Sequence, residues 1–192
     1  MSSIPFLFAV LFASAIVKLL QLITKDKGSL FFKQTRIGLN GKPFEILKFR
    51  TMVRDADVVL GDILTDKKMK EEWEKSQKLE RDPRITKAGW LLRKLSIDEL
   101  PQFWNVLIGE MSCIGPRPLI PGELEYHGGK PDIYQSLKPG ITSWWACNGR
   151  TALSYGERLE LEYYYIEHFS FELDIKTFFR TIKTVLVSRN GC

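Results

Sequence analysis

Two adjacent carboxylates, Asp98 and Glu99, stand in the segment SIDELPQFWN at residues 96–105. Neighbouring residues on a helix point in different directions, so adjacent acids seldom share one role. A carboxylate can attack a bound phosphoryl group to give an acyl phosphate, and Mg²⁺ prefers one or two carboxylates together with substrate phosphates. The pair therefore predicts phosphoryl chemistry, with one acid as nucleophile and the other as metal ligand.

The same segment also fits a purely structural interpretation. Ser96 and Glu99 have the S-x-x-E spacing of a capping box, in which each side chain bonds the backbone N–H of the other residue. Asp98 would then only complement the helix dipole. Pro101 suits a first turn and is awkward deeper in a helix. The local pattern leaves both interpretations open.

An arginine braced by two prolines follows the acids, in the segment IGPRP at residues 114–118. Arg117 presents a planar guanidinium that suits phosphate oxygens and has little ordering entropy left to lose. A diphosphate needs more positive charge than one metal ion supplies. Four further cations are candidates because of their company with the acids, although each alone is typical of a solvated surface: Lys48, Arg50, Arg93 and Arg150.

Composition limits the kinds of site that the chain can hold. Its 192 residues suit one domain with a real core, and its formal net charge of +5 suits an anionic partner. The two histidines, His127 and His168, are isolated, and the three cysteines have no zinc or C-x-x-C spacing. These features disfavour a Ser-His-Asp site, a histidine metal centre and a disulfide framework, and they favour a reducing compartment.

The N-terminal part is apolar. Residues 4–17 carry no charge, which is short for a full membrane span and favours a re-entrant, interfacial or buried helix. If Lys18 snorkels, the apolar stretch extends to Ile23 and is just long enough to cross. We predict a membrane-inserted, re-entrant helix in residues 1–24 and a catalytic domain in residues 25–192, on the cytoplasmic side because basic residues follow the helix. The alternative is a soluble domain whose first helix belongs to the core.

The remaining pattern predicts an α+β fold that is mainly helical. Residues 29–38 and 43–52 read as two strands joined by Asn40-Gly41, the strongest short hairpin signal. Residues 55–80 alternate charges at helical spacing and predict solvated helix. The C-terminal part is rich in Trp and Tyr, which favour membrane–water interfaces, so we expect amphipathic interfacial helices around the catalytic core.

Several motifs occur in order along the chain: KFRTM at 48–52, the long block RDPRITKAGWLLRKLSIDELPQFWNVLIGEMSCIGPRP at 81–118, KPGIT at 138–142 and NGR at 148–150. Together they closely resemble the bacterial sugar transferase family, the monotopic polyprenol-phosphate phosphoglycosyl transferases. The resemblance covers nearly the whole chain beyond about Gly28. The helical stretch before the long block looks like the insert of the larger galactose- or glucose-type members.

The resemblance implies an activity and its partners. The family transfers a sugar-1-phosphate from a UDP-sugar to undecaprenyl phosphate at the cytoplasmic face of the bacterial inner membrane, and the product starts a surface glycan. The implied reaction is ping-pong: Asp98 attacks the β-phosphorus, UMP leaves, and the lipid phosphate then attacks the phosphosugar–enzyme. The implied cofactor is Mg²⁺, with Glu99 as its ligand. Membrane lipids and a second copy in a homodimer are further expected partners, and nucleic acid is not.

The resemblance also assigns substrate-binding residues. Arg117 would hold phosphate with Lys48 and Arg150 in support, Arg93 would lie near lipid headgroups, and Asp174 would face the site. The full expected set of substrate-binding residues is Lys48, Arg50, Arg93, Pro116, Arg117, Asn148, Arg150 and Asp174.

The chain departs from the family pattern in two places. The family's N-terminal helix usually breaks at Ser-Pro, and here Ala13-Ser14-Ala15 lies near the expected break. Within TSWWACNGR, Ser143 and Ala146-Cys147 stand where Gly and Gln-Val are commoner, which would alter the sugar or lipid pocket.

Two other functions compete with the enzyme. A membrane-anchored scaffold could hold a nucleotide sugar or lipid without turnover, but the intact acid pair with Arg117 argues against it. A basic nucleic-acid-binding domain would need a salt-sensitive stripe of charge, and the sequence has no recognisable reading helix or aromatic stacking motif.

Overall fold

A computed structural model describes residues 4–23, 28–76, 79, 81–149 and 153–187. The fold is α+β, as predicted, and its elements follow in chain order. The first half contains α1 (Ile4–Ile23), β1 (Phe31–Ile37), β2 (Pro43–Phe49), α2 (Ala56–Ile63), α3 (Lys67–Ser76) and α4 (Lys87–Lys94). The second half contains α5 (Gln102–Leu107), β3 (Ser112–Ile114), α6 (Glu123–Tyr126), α7 (Pro131–Tyr134), β4 (Gly140–Thr142), α8 (Tyr155–Glu167) and α9 (Phe171–Val187).

The predicted β-hairpin is confirmed. β1 and β2 pair antiparallel from Phe31 opposite Phe49 to Ile37 opposite Pro43. The turn carries two residues in the left-handed region, Asn40 at φ 55° and Gly41 at φ 74°, which Asn and Gly adopt at the least steric cost.

The hairpin is fixed to the core through β2. Phe44 and Ile46 alternate onto one face and pack against Met111. Asn105, buried in α5, clamps the free edge of β2: its amide nitrogen donates to Glu45 O at 2.8 Å, and its Oδ1 accepts from Leu47 N at 3.1 Å. The clamp places α5, and the turn before it, against the strand that carries Lys48.

A second, parallel strand pair was not predicted. β3 and β4 align Ser112 with Gly140 and Ile114 with Thr142. The backbones approach so closely that a Cβ at Gly115 would lie 2.3 Å from Lys138 O. Gly115 N donates to Thr142 O, and Gly140 N donates to Pro116 O. This pairing fixes the start of the proline-braced arginine segment.

The predicted helical stretch at residues 55–80 forms α2 and α3. The segment that follows α3 contains a buried ion pair, in which Arg84 Nη2 lies 2.6 Å from Asp82 Oδ2. The Arg84 guanidinium also stacks over the Trp73 ring at 5.0 Å.

α1 is continuous through Ser14, whose hydroxyl donates to Val10 O at 2.7 Å. Ala13 and Val17 pack against Phe49 and Leu92. The opposite face is exposed and apolar, with Leu11, Phe12, Ile16, Leu19, Leu22 and Ile23. The predicted boundary between residues 24 and 25 lies outside the described residues.

None of the helices that the structure describes combines the length and apolarity needed to cross a membrane.

Candidate functional site

The acid pair lies on a short 3₁₀ turn, Ile97–Glu99, between α4 and α5. Ile97 and Leu100 flank the acids and pack into the cluster formed by α1, β2 and α4. Because these two apolar residues anchor the turn, Asp98 and Glu99 are held at a fixed place beside β2, and both are only partly exposed.

Of the two interpretations left open for the acid segment, the capping box between Ser96 and Glu99 does not form. Ser96 has φ 54° and ψ 23°, and its side chain makes no capping hydrogen bond. An N-cap needs extended backbone, whereas a left-handed residue is typical of the end of a helix, and here it follows α4. A capping box does form elsewhere, between Ser154 and Glu157 at the start of α8.

Two predicted cations reach the acid pair. Lys48 Nζ lies 2.8 Å from Glu99 Oε1, in a pair whose side chains are 26% and 35% exposed. Arg93 comes from α4, and its Nε donates to Thr51 Oγ1 at 2.9 Å. The structure therefore brings together Lys48, Arg93, Asp98 and Glu99 from β2, α4 and the turn.

The surroundings of Asp98 favour its protonated form and raise its pKa. Burial, and then the neighbouring charge of Glu99, raise the pKa of Asp98 to about 6, while Lys48 and Arg93 act in the opposite direction. At neutral pH the carboxylate is mostly ionised but poorly solvated. Such a group is a better nucleophile than an ordinary surface aspartate, and perturbed carboxylates of this kind are typical of active sites.

Arg50 lies at the foot of the hairpin. Its Nε donates to Ser29 O at 2.8 Å and its Nη1 to Met52 O at 3.0 Å. A Cβ at Gly28 would overlap the guanidinium. These contacts fasten the chain after α1 to the end of β2, which is a structural contribution beside the predicted role in substrate binding.

Arg117 lies in a different charged cluster. Its backbone N–H donates to Glu162 Oε1 at 3.2 Å, its carbonyl accepts from the Tyr134 hydroxyl at 3.0 Å, and its guanidinium faces the Trp145 ring at 5.6 Å. Pro116 beside it is fully buried. The charges that shift the pKa of Asp98 are instead those of Glu99, Lys48 and Arg93.

The register of the hairpin shows how far Arg36, near Arg117, lies from Lys48, near the acid pair. Arg117 and the charged residues around it, Arg36, Glu123, Arg158 and Glu162, are called the Arg117 cluster. Arg36 pairs with Phe44 across the hairpin. Lys48 is four residues further along β2, so Arg36 and Lys48 lie roughly 13 Å apart along the strand. The predicted site residues therefore fall into two groups.

The remaining predicted residues lie in the C-terminal part. Asn148 donates through Nδ2 to Trp144 O at 2.6 Å and accepts through Oδ1 from Arg180. Asp174 accepts from the hydroxyl of the fully buried Tyr165 at 2.6 Å, which ties α9 to α8. Arg150 lies outside the described residues.

The acid pair fits a magnesium ion that substrate phosphates complete. Within the part of the chain that the structure describes, no group of three or more His, Cys, Asp or Glu side chains could form a protein-only cage. Mg²⁺ is commonly held by one or two carboxylates plus phosphates. Repulsion between Asp98 and Glu99, visible in the raised pKa of Asp98, is what a divalent cation would relieve.

Most residues of the Arg117 cluster were not predicted from the sequence. Arg158 and Glu162 are buried in α8, and Glu123 lies between Arg158 and Arg36. The i, i+4 spacing of Arg158 and Glu162 was the available signal, but it is equally typical of a solvated helix face.

Comparisons with known proteins agree with the sequence motifs. Residues 1–188 match the family described as Bacterial sugar transferase. The chain is 43% identical over 178 residues to the UDP-galactose-lipid carrier transferase of Erwinia amylovora, covering 92% of this chain and 37% of that protein. It is 41% identical over 186 residues to the exopolysaccharide production protein ExoY of Rhizobium meliloti, covering 95% of this chain and 82% of that protein.

A third relative is the undecaprenyl-phosphate galactose phosphotransferase of Salmonella typhimurium, 42% identical over 165 residues, covering 85% of this chain and 35% of that protein. The chain thus spans little more than a third of the Erwinia and Salmonella relatives and most of the Rhizobium one.

Proposed function

The chain belongs to the bacterial sugar transferase family, and we propose that it transfers a hexose-1-phosphate from a UDP-sugar to undecaprenyl phosphate. The product would start a surface glycan. The observation that carries this proposal is the partly buried Asp98, with a pKa raised to about 6, held beside Glu99 between Lys48 and Arg93. The names of the relatives, which include lipid-carrier and undecaprenyl-phosphate transferases, support the same substrates.

The reaction proceeds in two displacements. An oxygen of Asp98 attacks the β-phosphorus, a new P–O bond forms, and the bond to the bridging oxygen breaks so that UMP leaves with that electron pair. An oxygen of the lipid phosphate then attacks the same phosphorus and releases the Asp98 carboxylate. The covalent intermediate lets two anionic substrates react one at a time, which avoids their mutual repulsion.

The surrounding residues stabilise these steps. Glu99 would hold Mg²⁺, which when bound offsets negative charge on the phosphates. Lys48 orients Glu99 through their ion pair and adds positive charge beside the phosphoryl group. Arg93, fixed by Thr51, supplies a second cation on the α4 side, where the lipid phosphate would approach.

The exposed apolar residues support a membrane location. α1 packs against α4 and α5, and large apolar side chains are exposed on all three helices, among them Leu19, Trp90 and Trp104. Trp favours the membrane–water interface. We therefore place α1 in the cytoplasmic leaflet of the bacterial inner membrane and the acid turn at headgroup depth, within reach of the lipid phosphate. A homodimer remains a prediction.

A transfer assay tests the proposed function. The full-length protein, in vesicles containing undecaprenyl phosphate and Mg²⁺, is given UDP-galactose or UDP-glucose. We expect stoichiometric UMP and polyprenyl diphosphate sugar. Sugar nucleotide binding without UMP release would favour the non-catalytic scaffold instead.

A further inference from the structure

The backbone of Thr51, just after β2, fastens the start of α4. The Thr51 carbonyl accepts a hydrogen bond from Thr86 N at 3.0 Å, and Thr86 in turn caps α4, because its hydroxyl accepts from Gly89 N at 2.9 Å. A Cβ at Gly89 would overlap the Thr51 carbonyl. The first turn of α4 is therefore pressed directly against Thr51, which is buried.

The side chain of Thr51 continues this contact one turn further along α4. Arg93 follows Gly89 by four residues, so the two share one face of the helix. Arg93 Nε donates to Thr51 Oγ1 at 2.9 Å. This bond engages one nitrogen of the guanidinium, and the two Nη groups form the fork that suits phosphate oxygens. A buried threonine thus orients a cation whose charge also reaches Asp98.

A second anchor for Arg93 comes from the segment that follows α3. Asp82 accepts from Arg84 Nη2 at 2.6 Å and from Arg84 Nε at 2.9 Å. Against burial, which raises it, the bonds and charge of Arg84 and then the charge of Arg93 lower the pKa of Asp82. Arg93 therefore interacts with two carboxylates, Asp82 and Asp98, which belong to different segments of the chain.

The proposed reaction changes one of these two carboxylates and leaves the other unchanged. When Asp98 takes up the sugar phosphate it becomes an acyl phosphate, and the negative charge then lies on the phosphoryl oxygens, further from the backbone. Asp82 keeps its charge and Thr51 keeps its hydroxyl throughout. These two residues therefore hold Arg93 independently of Asp98 at the stage when the lipid phosphate arrives.

We propose that Thr51 is a positioning residue, whose hydroxyl, supported by the charge of Asp82, holds Arg93 at the phosphoryl group while the lipid phosphate attacks. The role in the second displacement rests on the proposed function, whereas the anchoring of Arg93 rests on the hydrogen bond itself. Arg93 is only partly buried, so a guanidinium that loses this bond can turn toward solvent. The first displacement depends less on the bond, because Asp98 still attracts Arg93 as a carboxylate.

Two substitutions at Thr51 separate its hydroxyl from its packing. Thr51→Val keeps the shape and removes the hydroxyl, and Thr51→Ser keeps the hydroxyl and removes a methyl group. Thr177→Val is the matched control, since Thr177 is fully buried in α9 and its hydroxyl donates to Leu173 O at 2.7 Å. An effect that acts through Arg93 should appear in Thr51→Val alone.

The anchor itself is measured without turnover. Exchange of the Arg93 Nε–H with solvent is followed by NMR in protein carrying isotope-labelled arginine, and the signal is assigned by its loss in Arg93→Gln. Hydrogen-bonded N–H groups exchange slowly. We expect exchange at least about fivefold faster in Thr51→Val, which loses the acceptor, and within about twofold of the unaltered protein in Thr51→Ser and Thr177→Val.

The two displacements are then timed separately by intact mass. Adduct formation is followed with Mg²⁺ and UDP-galactose or UDP-glucose, and adduct loss is followed after addition of vesicles containing undecaprenyl phosphate. In Thr51→Val we expect adduct loss to slow about tenfold or more, because a hydrogen bond to a charged group is removed, and adduct formation to slow less than about threefold. Thr51→Ser and Thr177→Val should behave as the unaltered protein does in both steps.

The outcomes distinguish the anchor, its role and the proposed function. Equal Nε–H exchange in Thr51→Val and Thr51→Ser would overturn the anchor. Equal slowing of both displacements in Thr51→Val, or the same slowing of adduct loss in Thr177→Val, would overturn the positioning role. No adduct and no UMP from the unaltered protein would contradict the proposed function, and the exchange rates would still decide whether Thr51 anchors Arg93.

Discussion

The acid turn and the Arg117 cluster differ in burial and in the balance of their charges. At the acid turn, Lys48 and Glu99 are about one-quarter and one-third exposed, and two carboxylates meet two cations. In the Arg117 cluster, Arg158 and Glu123 are only 10% and 17% exposed, and three cations meet two carboxylates. The first region is open enough to react, and the second is buried enough for its ion pairs to support the fold.

Replacing the nucleophile should have the largest effect. Asp98→Asn removes the attacking oxygen's charge and should lower transfer by at least about 10³-fold. Product formation is measured with UDP-galactose or UDP-glucose and undecaprenyl phosphate. Circular dichroism of the variant should match that of the unaltered protein, and turnover within tenfold of normal would remove Asp98 from the role of nucleophile.

Breaking one ion pair in each region compares their contributions to stability. Arg158→Met leaves Glu123 and Glu162 buried with less compensation and should cost about 3 kcal/mol or more. Lys48→Met breaks a pair that is partly exposed and should cost less than about 1 kcal/mol.

The two stability effects are measured as free energies of unfolding in denaturant titrations of both variants. Equal losses of unfolding free energy in the two variants would contradict the expectation that the more buried ion pair contributes more to stability.

Removing the proposed metal ligand should change metal dependence more than folding. Glu99→Gln should raise the Mg²⁺ concentration for half-maximal UMP release by at least about tenfold, because a neutral amide is a weaker ligand than a carboxylate. Glu110→Gln replaces a carboxylate that bonds Asn105, away from the acid pair, and serves as the control. An Mg²⁺ titration that Glu99→Gln leaves unchanged would exclude Glu99 as ligand.

The pH dependence of UMP release should reflect Asp98. Only its carboxylate form attacks, so the rate constant should fall as the pH drops through the pKa of Asp98, which is raised to about 6 without metal and which Mg²⁺ held by Glu99 would lower. Lys48 lowers this pKa by favouring the charged form, and Lys48→Met should therefore move the acidic limb to higher pH. Single-turnover rates in buffers of constant ionic strength measure the shift, and a limb that moves to lower pH would contradict the assigned electrostatics.

Local signals in the sequence predicted the hairpin and the acid pair. Asn40-Gly41 specifies its turn through backbone conformation alone, and the residue types at Asp98 and Glu99 already indicate phosphoryl chemistry. The Ser96 capping box failed because the left-handed conformation of Ser96 is set by how α4 ends, and S-x-x-E does not record the conformation of its first residue.

The position of Arg117 and the pairing of β3 with β4 depend on contacts between residues far apart in the chain, which local sequence patterns do not show. Leu119 bridges to Ile37 at the turn end of the hairpin, and Arg117 contacts Glu162 and Tyr134 there, while its role in holding substrate phosphate stays a prediction. The parallel pairing of β3 with β4 likewise joins segments far apart in the chain, and its three-residue strands have no distinctive alternation.

The most direct test of Asp98 as nucleophile is the intact mass of the protein after incubation with Mg²⁺ and a single UDP-sugar, without lipid acceptor. We expect a mass increase of one sugar phosphate on Asp98, lost on addition of undecaprenyl phosphate and absent from Asp98→Asn. Formation of the lipid product with no adduct at any time after mixing, or an adduct that persists in Asp98→Asn, would contradict it.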